Sequence, residues 1–180
     1  MRDPVELLPG AFHVPLNRFA DARGAFVKTY AASAFAALGL AFERRESFYS
    51  TSGRGVIRGM HFQRPPHDHD KVVHCAAGRA LDVLLDLRPG PGFGAVRSVL
   101  LDAAQPALVF IPKGVAHGFK ALEDGTMLCY DTSTEHAPTH DAGVRFDSFG
   151  FDWGAGVAVV SDRDRGHPAL GELVNPFGAA

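Results

Sequence analysis

Short apolar segments separated by turn residues run along the whole chain. They occupy residues 56–62, 71–76, 80–87, 95–101, 107–111, 118–122 and 126–132, and Gly, Pro or Asp-rich sequence such as RPGPGFG bounds them. Apolar runs of this length between turn signals are typical of β-strands. The spacing of the segments therefore predicts a β-sandwich or a β-barrel.

Two of these segments, ALDVLLDL and ALVFIP, are almost continuously apolar. A strand with this pattern is buried on both faces, so we expect a second layer over part of the sheet, and the polar sequence after Trp153 is the candidate for it. One helix is predicted over residues 33–40 (SAFAALGL), with Ser33 as N-cap and Gly39 near its end. The length of 180 residues, without an internal repeat or a linker, predicts a single domain over residues 1–180.

The charge of the chain is nearly balanced, since 18 Lys and Arg against 20 Asp and Glu leave a net charge of −2. This balance provides no polybasic surface for nucleic acid or anionic lipid. No segment approaches the roughly 18 to 20 apolar residues of a membrane span, and the N-terminus has no signal-peptide pattern. Cys75 and Cys129 lie in apolar sequence, where thiols behave as small hydrophobes. We expect a cytoplasmic protein whose partner is a small molecule or another protein chain.

Four of the nine histidines fall within 14 positions: His61, His67, His69 and His74. The His-x-His at residues 67 and 69, and the Pro-x-Gly-x-x-His segment that ends at His117, resemble the metal-ligand motifs of cupins. The Glu that would complete such a site is absent, and Lys71 lies where an acidic ligand would be needed. His74 does not replace it, because residues 71 and 74 of a strand point to opposite faces. We therefore expect no metal and interpret His67 and His69 as part of a solvated loop.

His61 and Lys71 indicate a different chemistry. An imidazole base and an ammonium group that both project into a β-barrel can remove a proton next to a carbonyl and hold the resulting enolate. Neither step requires a metal.

Six motifs give a more specific indication: DARGAF (21–26), GVIRGMHFQ (55–63), DKVVHCAAGRALDVLLDLRPGPGFG (70–94), IPKGVAHGF (111–119), LCYDT (128–132) and SDRDR (161–165). In this order they resemble the dTDP-4-dehydrorhamnose 3,5-epimerase family, and the resemblance covers most of the chain. It implies an all-β fold, a cupin-type jelly roll with one or two short helices. It also implies a cofactor-independent epimerase that acts through an enolate on a nucleotide-diphosphate 4-keto-6-deoxy sugar and inverts C3, C5 or both.

The resemblance also implies catalytic roles for four residues. His61 matches the general base, and Asp164 matches the carboxylate that orients this base and raises its basicity. Lys71 matches the lysine that holds the enolate oxygen, and Tyr130 matches the acid that returns a proton to the opposite face. Taken without the family, Lys71 and Asp164 would be interpreted as surface charges, and Tyr130 as a core or interface tyrosine.

Further matches lie at the substrate-binding positions. Arg23, Arg58 and His117 match residues that contact the diphosphate, and Phe26 matches an aromatic residue that packs against the nucleotide base. The family also forms homodimers by exchanging N-terminal strands, and the apolar segment AFHVPLNRF is available for this exchange.

The chain departs from the family pattern around the expected nucleotide and sugar. Glu46 and Phe48 stand in place of a Gln-x-Asn pair and are expected at the substrate, and the other departures are Lys28, Asp131, Glu135 and His136. These changes predict an altered nucleotide or sugar preference and leave the proton chemistry intact. Two alternatives stay open at this point: a metal-dependent cupin enzyme, and a sugar-nucleotide-binding module without turnover.

Overall fold

Short strands dominate the described part of the chain, which also contains two brief helices. The computed structural model describes residues 1–156 and 158–178. In chain order its elements are β1 Val5–Leu8, β2 Ala11–Pro15, β3 Arg18–Asp21, β4 Gly24–Val27, α1 Ala32–Ala37, β5 Glu46–Ser52, β6 Val56–Gln63, β7 Lys71–Ala77, β8 Arg79–Asp86, β9 Val96–Asp102, β10 Ala107–Ile111, β11 Val115–Ala121, β12 Thr126–Thr132, β13 Asp141–Gly143, β14 Val159–Val160, α2 Asp162–Arg165 and a 3₁₀ turn at Leu170–Glu172.

Two mainly antiparallel sheets enclose the core. The first has the strand order β1-β2-β10-β7-β12-β5, and the second has the order β13-β6-β11-β8-β9, with β14 pairing in parallel with β6. From β6 to β12 the chain crosses repeatedly between the sheets. Val73 and Leu128 of the first sheet meet Leu84 and Phe119 of the second in one apolar cluster, and each of the four is at most 1% exposed.

The central strand β8 is buried on both sides. Leu84 faces the core between the sheets, whereas Val83 and Leu85 pack on the other side in a cluster with Trp153. Lys120 of β11 anchors this covering layer, because its Nζ donates hydrogen bonds to the carbonyl oxygens of residues 153, 154 and 155 at 3.0, 3.3 and 3.1 Å. The apolar pattern thus predicted a covering layer correctly, although aromatic residues before Trp153 also contribute to it.

The seven predicted strands are confirmed, and those at 107–111 and 126–132 have the predicted bounds. The strand predicted at 118–122 begins earlier, at Val115, because buried His117 belongs to it and interrupts the apolar pattern. Strands β1, β3, β4, β5, β13 and β14 were not predicted. Most of their residues are exposed or half-buried, so they lack the apolar signal that burial imposes.

The single predicted helix is shorter than expected, and the proposed cap is wrong. Helix α1 begins at Ala32 with Ala31 as N-cap and no capping side chain, so Ser33 lies inside the first turn. Phe35 is its one fully buried side chain and packs with Val14 and Leu16. Tertiary packing therefore sets the position of this helix more than its capping residue does.

The hairpin β3–β4 forms a separate two-stranded sheet. Seven of its eight strand residues are exposed, including Phe19 at 61% and Phe26 at 62%. Among the described residues, no helix is both long and apolar enough to cross a membrane.

Candidate active site

A cavity lies between the two sheets. Strands β5, β7 and β12 of the first sheet and β6 and β11 of the second contribute side chains to its wall. The lining residues include Glu46, Phe48, Ser50, Arg58, His61, Gln63, His69, Lys71, His117, Tyr130, Thr132, His136, Asp141 and Arg163. The period of two along β5 and β12 explains why residues 46, 48 and 50, and residues 130 and 132, share one face.

Arg58 and His61 both reach the cavity from β6 although they are three positions apart. Such spacing places side chains on opposite faces of a regular strand. Here the pairing of β6 with β11 shifts by one residue between these two positions, and a bulge of this kind reorients the side chains on either side of it. Gly59 permits the bulge, because its φ is +126° and a Cβ there would lie 2.5 Å from Cα of Gly118.

His61 forms a dyad with Asp164. Nε2 of His61 lies 2.7 Å from Oδ1 of Asp164, and the backbone N–H of Gly59 donates to Oδ2 of the same carboxylate at 3.2 Å. Asp164 sits on α2, where the hydroxyl of Ser161 caps the helix by accepting a hydrogen bond from the Asp164 N–H at 3.1 Å. The cap fixes the helix that carries the carboxylate, which is only 3% exposed.

The environment sets the charge of both dyad members. Burial lowers the pKa of His61 below its ordinary value, and this effect exceeds the opposing effect of Asp164. Although burial opposes ionisation of Asp164, contacts with His167, His61 and Gly59 hold its pKa well below the usual range. Because an ionised carboxylate only accepts hydrogen bonds, Nε2 of His61 carries the proton and Nδ1 has the free lone pair. The dyad therefore presents a neutral base at neutral pH.

Lys71 is the buried cation of the cavity. It is 9% exposed, and its Nζ donates to the carbonyl oxygen of His61 at 3.2 Å. Burial lowers the pKa of Lys71 to about 8, against the opposing effects of Asp141 and Asp82. The ammonium group of Lys71 thus lies next to the backbone of His61, where it can bind an oxyanion.

Tyr130 is 9% exposed and lines the same cavity. Burial raises the pKa of its hydroxyl far above the ordinary value, so the group stays protonated and can act as a proton donor. Phe48 stacks on its ring, and His117 meets it edge-on at a centroid distance of 5.9 Å. These contacts hold the tyrosine ring in one orientation.

His117 belongs to a second dyad, which is almost completely buried. Its Nε2 lies 2.6 Å from Oδ1 of Asp82, and the two residues are 4% and 0% exposed. The sequence interpretation missed Asp82, yet a signal was present: it is an acidic residue within the apolar run ALDVLLDL, and a buried carboxylate needs a partner.

Arg58 places a guanidinium group in the wall of the same cavity. Its guanidinium donates to Oγ of Ser52 and the carbonyl oxygen of Thr51, both at 3.1 Å. In the described part of the chain, no carboxylate lies within ion-pair distance of it. The remaining N–H groups are therefore available to an anionic ligand.

Two expected substrate-binding residues lie elsewhere. Arg23 is in the turn of the β3–β4 hairpin, where its side chain is 89% exposed and pairs with Asp21, and Phe26 is on β4. Within one chain, neither residue lines the cavity that contains His61.

The departures from the family pattern divide into two groups. Glu46, Phe48 and His136 line the cavity, and the carboxylate of Glu46 accepts a hydrogen bond from the backbone N–H of residue 136 at 2.7 Å. Asp131 instead pairs with Ser47 and Arg44 outside the cavity. Lys28 and Glu135 are also absent from its lining.

The histidines of the metal-dependent alternative do not converge. His67 is exposed and packs against His140, His69 is beside Gln63 and Thr134, and His117 is paired with Asp82. Among residues 1–156 and 158–178, one set of three potential ligands has its donor atoms within 4.8 Å of one another: His61, Asp164 and His167. Sequence reasoning did not single out His167.

Comparisons with known proteins agree with this architecture. A sequence model described as dTDP-4-dehydrorhamnose 3,5-epimerase matches residues 6–172. The 3,5-epimerase of Mycolicibacterium smegmatis is 35% identical over 92% of this chain and 84% of its own, and the dTDP-4-dehydrorhamnose 3-epimerase of Streptomyces niveus is 34% identical over 92% and 82%. The solved rmlC epimerase of Mycobacterium tuberculosis superposes with a TM-score of 0.89 at 34% identity, covering 94% of this chain and 89% of its own.

These likenesses confirm the expected fold and enzyme class. The two sheets form the cupin-type jelly roll, and the chain is a nucleotide-sugar epimerase. The chain belongs to the dTDP-4-dehydrorhamnose 3,5-epimerase family.

Proposed function

We propose that this enzyme epimerises a nucleotide-diphosphate-linked 4-keto-6-deoxy sugar next to its ketone, with His61 as the base. The observation that carries the proposal is that His61, Lys71 and Tyr130 line one cavity, with Asp164 hydrogen-bonded to His61. The relatives are a dTDP-4-dehydrorhamnose 3,5-epimerase and a 3-epimerase, which supports the substrate class and leaves C3, C5 or both as the centres inverted.

In the first step, Nδ1 of His61 takes a proton from the carbon next to the ketone. The electron pair of the broken C–H bond forms a carbon–carbon double bond, and the carbonyl pair moves to the oxygen. Asp164 stabilises the imidazolium that results, through the contact at 2.7 Å. The Lys71 ammonium binds the enolate oxygen.

In the second step, the hydroxyl of Tyr130 gives its proton to the same carbon from the other face. The enolate collapses to the ketone with the centre inverted. The phenolate then regains a proton from solvent, and His61 releases its proton to solvent, so the overall reaction is an isomerisation. General acid–base groups of this kind contribute about 10²- to 10⁴-fold each.

Arg58 and His117 are proposed to bind the diphosphate. The free N–H donors of Arg58 match phosphate oxygens. His117 lies on the same wall, and its bond to Asp82 fixes the orientation of its ring.

A homodimer would bring Arg23 and Phe26 to this substrate. Both lie on a hairpin that stands apart from the cavity of its own chain, with Phe19 and Phe26 exposed. Exposed aromatic residues on a hairpin outside the two main sheets suit burial against a second copy. The unpaired thiols of Cys75 and Cys129 fit a reducing compartment, and we propose the cytoplasm.

Solvent-deuterium exchange tests the proposal. The protein is incubated in D₂O with dTDP-4-keto-6-deoxyglucose, and mass spectrometry and NMR measure label and stereochemistry at C3 and C5. We expect deuterium at each inverted centre. A protein whose melting temperature rises with the nucleotide sugar but which never incorporates deuterium would be a binding module.

A further inference from the structure

A second imidazole lies behind the His61–Asp164 dyad. His167 follows α2, and its side chain is 13% exposed. Its ring occupies the space beside Gly143, the residue that pairs with His61 across β13 and β6. A Cβ at position 143 would lie 2.4 Å from Nε2 of His167. The absence of a side chain at this strand position makes room for the ring.

His167 directs its Nε2 toward the carboxylate that serves His61. This nitrogen lies 3.7 Å from Oδ1 of Asp164, the same oxygen that His61 contacts at 2.7 Å. The nitrogen is buried and has no hydrogen-bond partner in residues 1–156 and 158–178. A shift of about half an ångström would bring it into hydrogen-bond distance. The two rings stand edge to face with centroids 5.8 Å apart.

The other charged groups around His167 have partners of their own. These groups are Arg163 on α2, Arg64 after β6, Asp141 on β13 and Glu172 in the 3₁₀ turn. Arg163 pairs with Asp141 at 2.5 Å, Arg64 donates to the carbonyl oxygen of Thr139 at 2.6 Å, and Glu172 accepts from the Ala169 N–H at 3.2 Å. Asp164 is thus the group left to interact with the buried nitrogen.

We propose that His167 is a positioning residue that shares Asp164 with His61 and limits how strongly this carboxylate increases the basicity of His61. The inference rests on the proposed role of His61 as base. A carboxylate oxygen that accepts from two imidazoles interacts less strongly with each of them than an oxygen that accepts from one. His167 thereby helps keep His61 neutral and ready to accept a proton near neutral pH.

Two substitutions of similar size distinguish hydrogen-bond donation by His167 from the packing of its side chain. His167→Gln retains an N–H donor near the position of Nε2, and His167→Leu removes it. The His61 ring is titrated by NMR in the full-length protein, with its signals assigned by their loss in His61→Asn. We expect His167→Leu to raise the pKa of His61 by at least about half a unit, because Asp164 then interacts with His61 alone. His167→Gln should leave it near the wild-type value.

The acid limb of kcat/KM provides a second readout, because it reports the essential base of the free enzyme. It should move to higher pH in His167→Leu by the same amount, and His140→Leu, which replaces a histidine outside the cavity, should not move it. Equal shifts in the Leu and Gln variants, or no shift in either, would overturn the proposal. An inactive wild-type enzyme would contradict the proposed function instead, while the NMR titration would still decide the role of His167.

Discussion

Phe48 lies flat against Tyr130, with ring centroids 4.8 Å apart and 12° between the ring planes. Phe48 remains 47% exposed, whereas Tyr130 is 9% exposed. The stack covers one face of the tyrosine ring, and both residues line the cavity. Phe48 therefore shapes both the expected proton donor and the space available to the sugar.

Replacing Tyr130 with phenylalanine should reduce the rate of inversion more than the rate of deuterium exchange. The variant keeps the stack with Phe48 but has no proton to deliver, while His61 can still form the enolate and return the proton to the original face. We expect deuterium exchange to outlast inversion, as measured by mass spectrometry and product NMR. Tyr49→Phe on the same strand as Phe48 is the control, since Tyr49 is 67% exposed. An unchanged ratio of exchange to inversion would remove Tyr130 from the mechanism.

Removing the base, His61, should slow both inversion and deuterium exchange. His61→Ala cannot form the enolate, so kcat for inversion and the exchange rate should each fall by about 10²- to 10⁴-fold. Asp164→Asn should also reduce both rates, because the amide no longer stabilises an imidazolium at His61. Thermal melts check that each variant is folded. Exchange at the wild-type rate in His61→Ala would show that another group is the base.

The pH profile of kcat/KM should be bell-shaped. The enzyme loses activity as His61 becomes protonated, and because burial lowers the pKa of His61, the acid limb should lie below its ordinary value of 6.5. Activity should fall again as pH rises through about 8, the pKa of Lys71, because the neutral amine no longer stabilises an enolate. In Lys71→Arg, the alkaline limb near pH 8 should disappear, since guanidinium stays charged. If this limb persists in the variant, it belongs to a different group.

Glu46 should weaken binding of the standard thymidine-linked substrate. Its carboxylate lines the cavity that must admit a diphosphate, and like charges repel there more strongly than in water. We therefore expect wild-type enzyme to use dTDP-4-keto-6-deoxyglucose poorly, and the double substitution Glu46→Gln, Phe48→Asn to lower KM. Glu43→Gln, outside the cavity lining, serves as the control. Efficient wild-type turnover with no gain in the double variant would show that these departures are neutral.

Chelation should leave turnover unchanged. Lys71 occupies a place where a metal site would need an acidic ligand, and the proposed steps use only proton transfers. The rate is measured before and after prolonged treatment with a chelator, followed by addition of Zn²⁺, Mn²⁺ or Fe²⁺. Loss of activity that returns with one metal would favour a metal-dependent reaction over the proposed proton transfers.

Seven of the strands and the family were predictable from the amino-acid sequence. Strands β6 to β12 were predictable because burial imposes apolar runs that turn residues interrupt. The continuous apolar pattern of β8 also indicated that this strand is covered on both sides. The family motifs also predicted His61, Lys71, Tyr130 and Asp164 as catalytic residues. Exposed strands such as β3 and β4 carry no such signal.

The assembly of the site depends on contacts between segments that are far apart in the sequence. His61 and Asp164 are 103 positions apart, and the bulge at Gly59 turns His61 and Arg58 to one face against the regular alternation of a strand. The pairing of His117 with Asp82 and the placement of His167 beside Gly143 are likewise contacts between distant segments. The local pattern of apolar residues indicates which residues are buried. Strand register and packing across the sheets determine which group a buried polar side chain contacts.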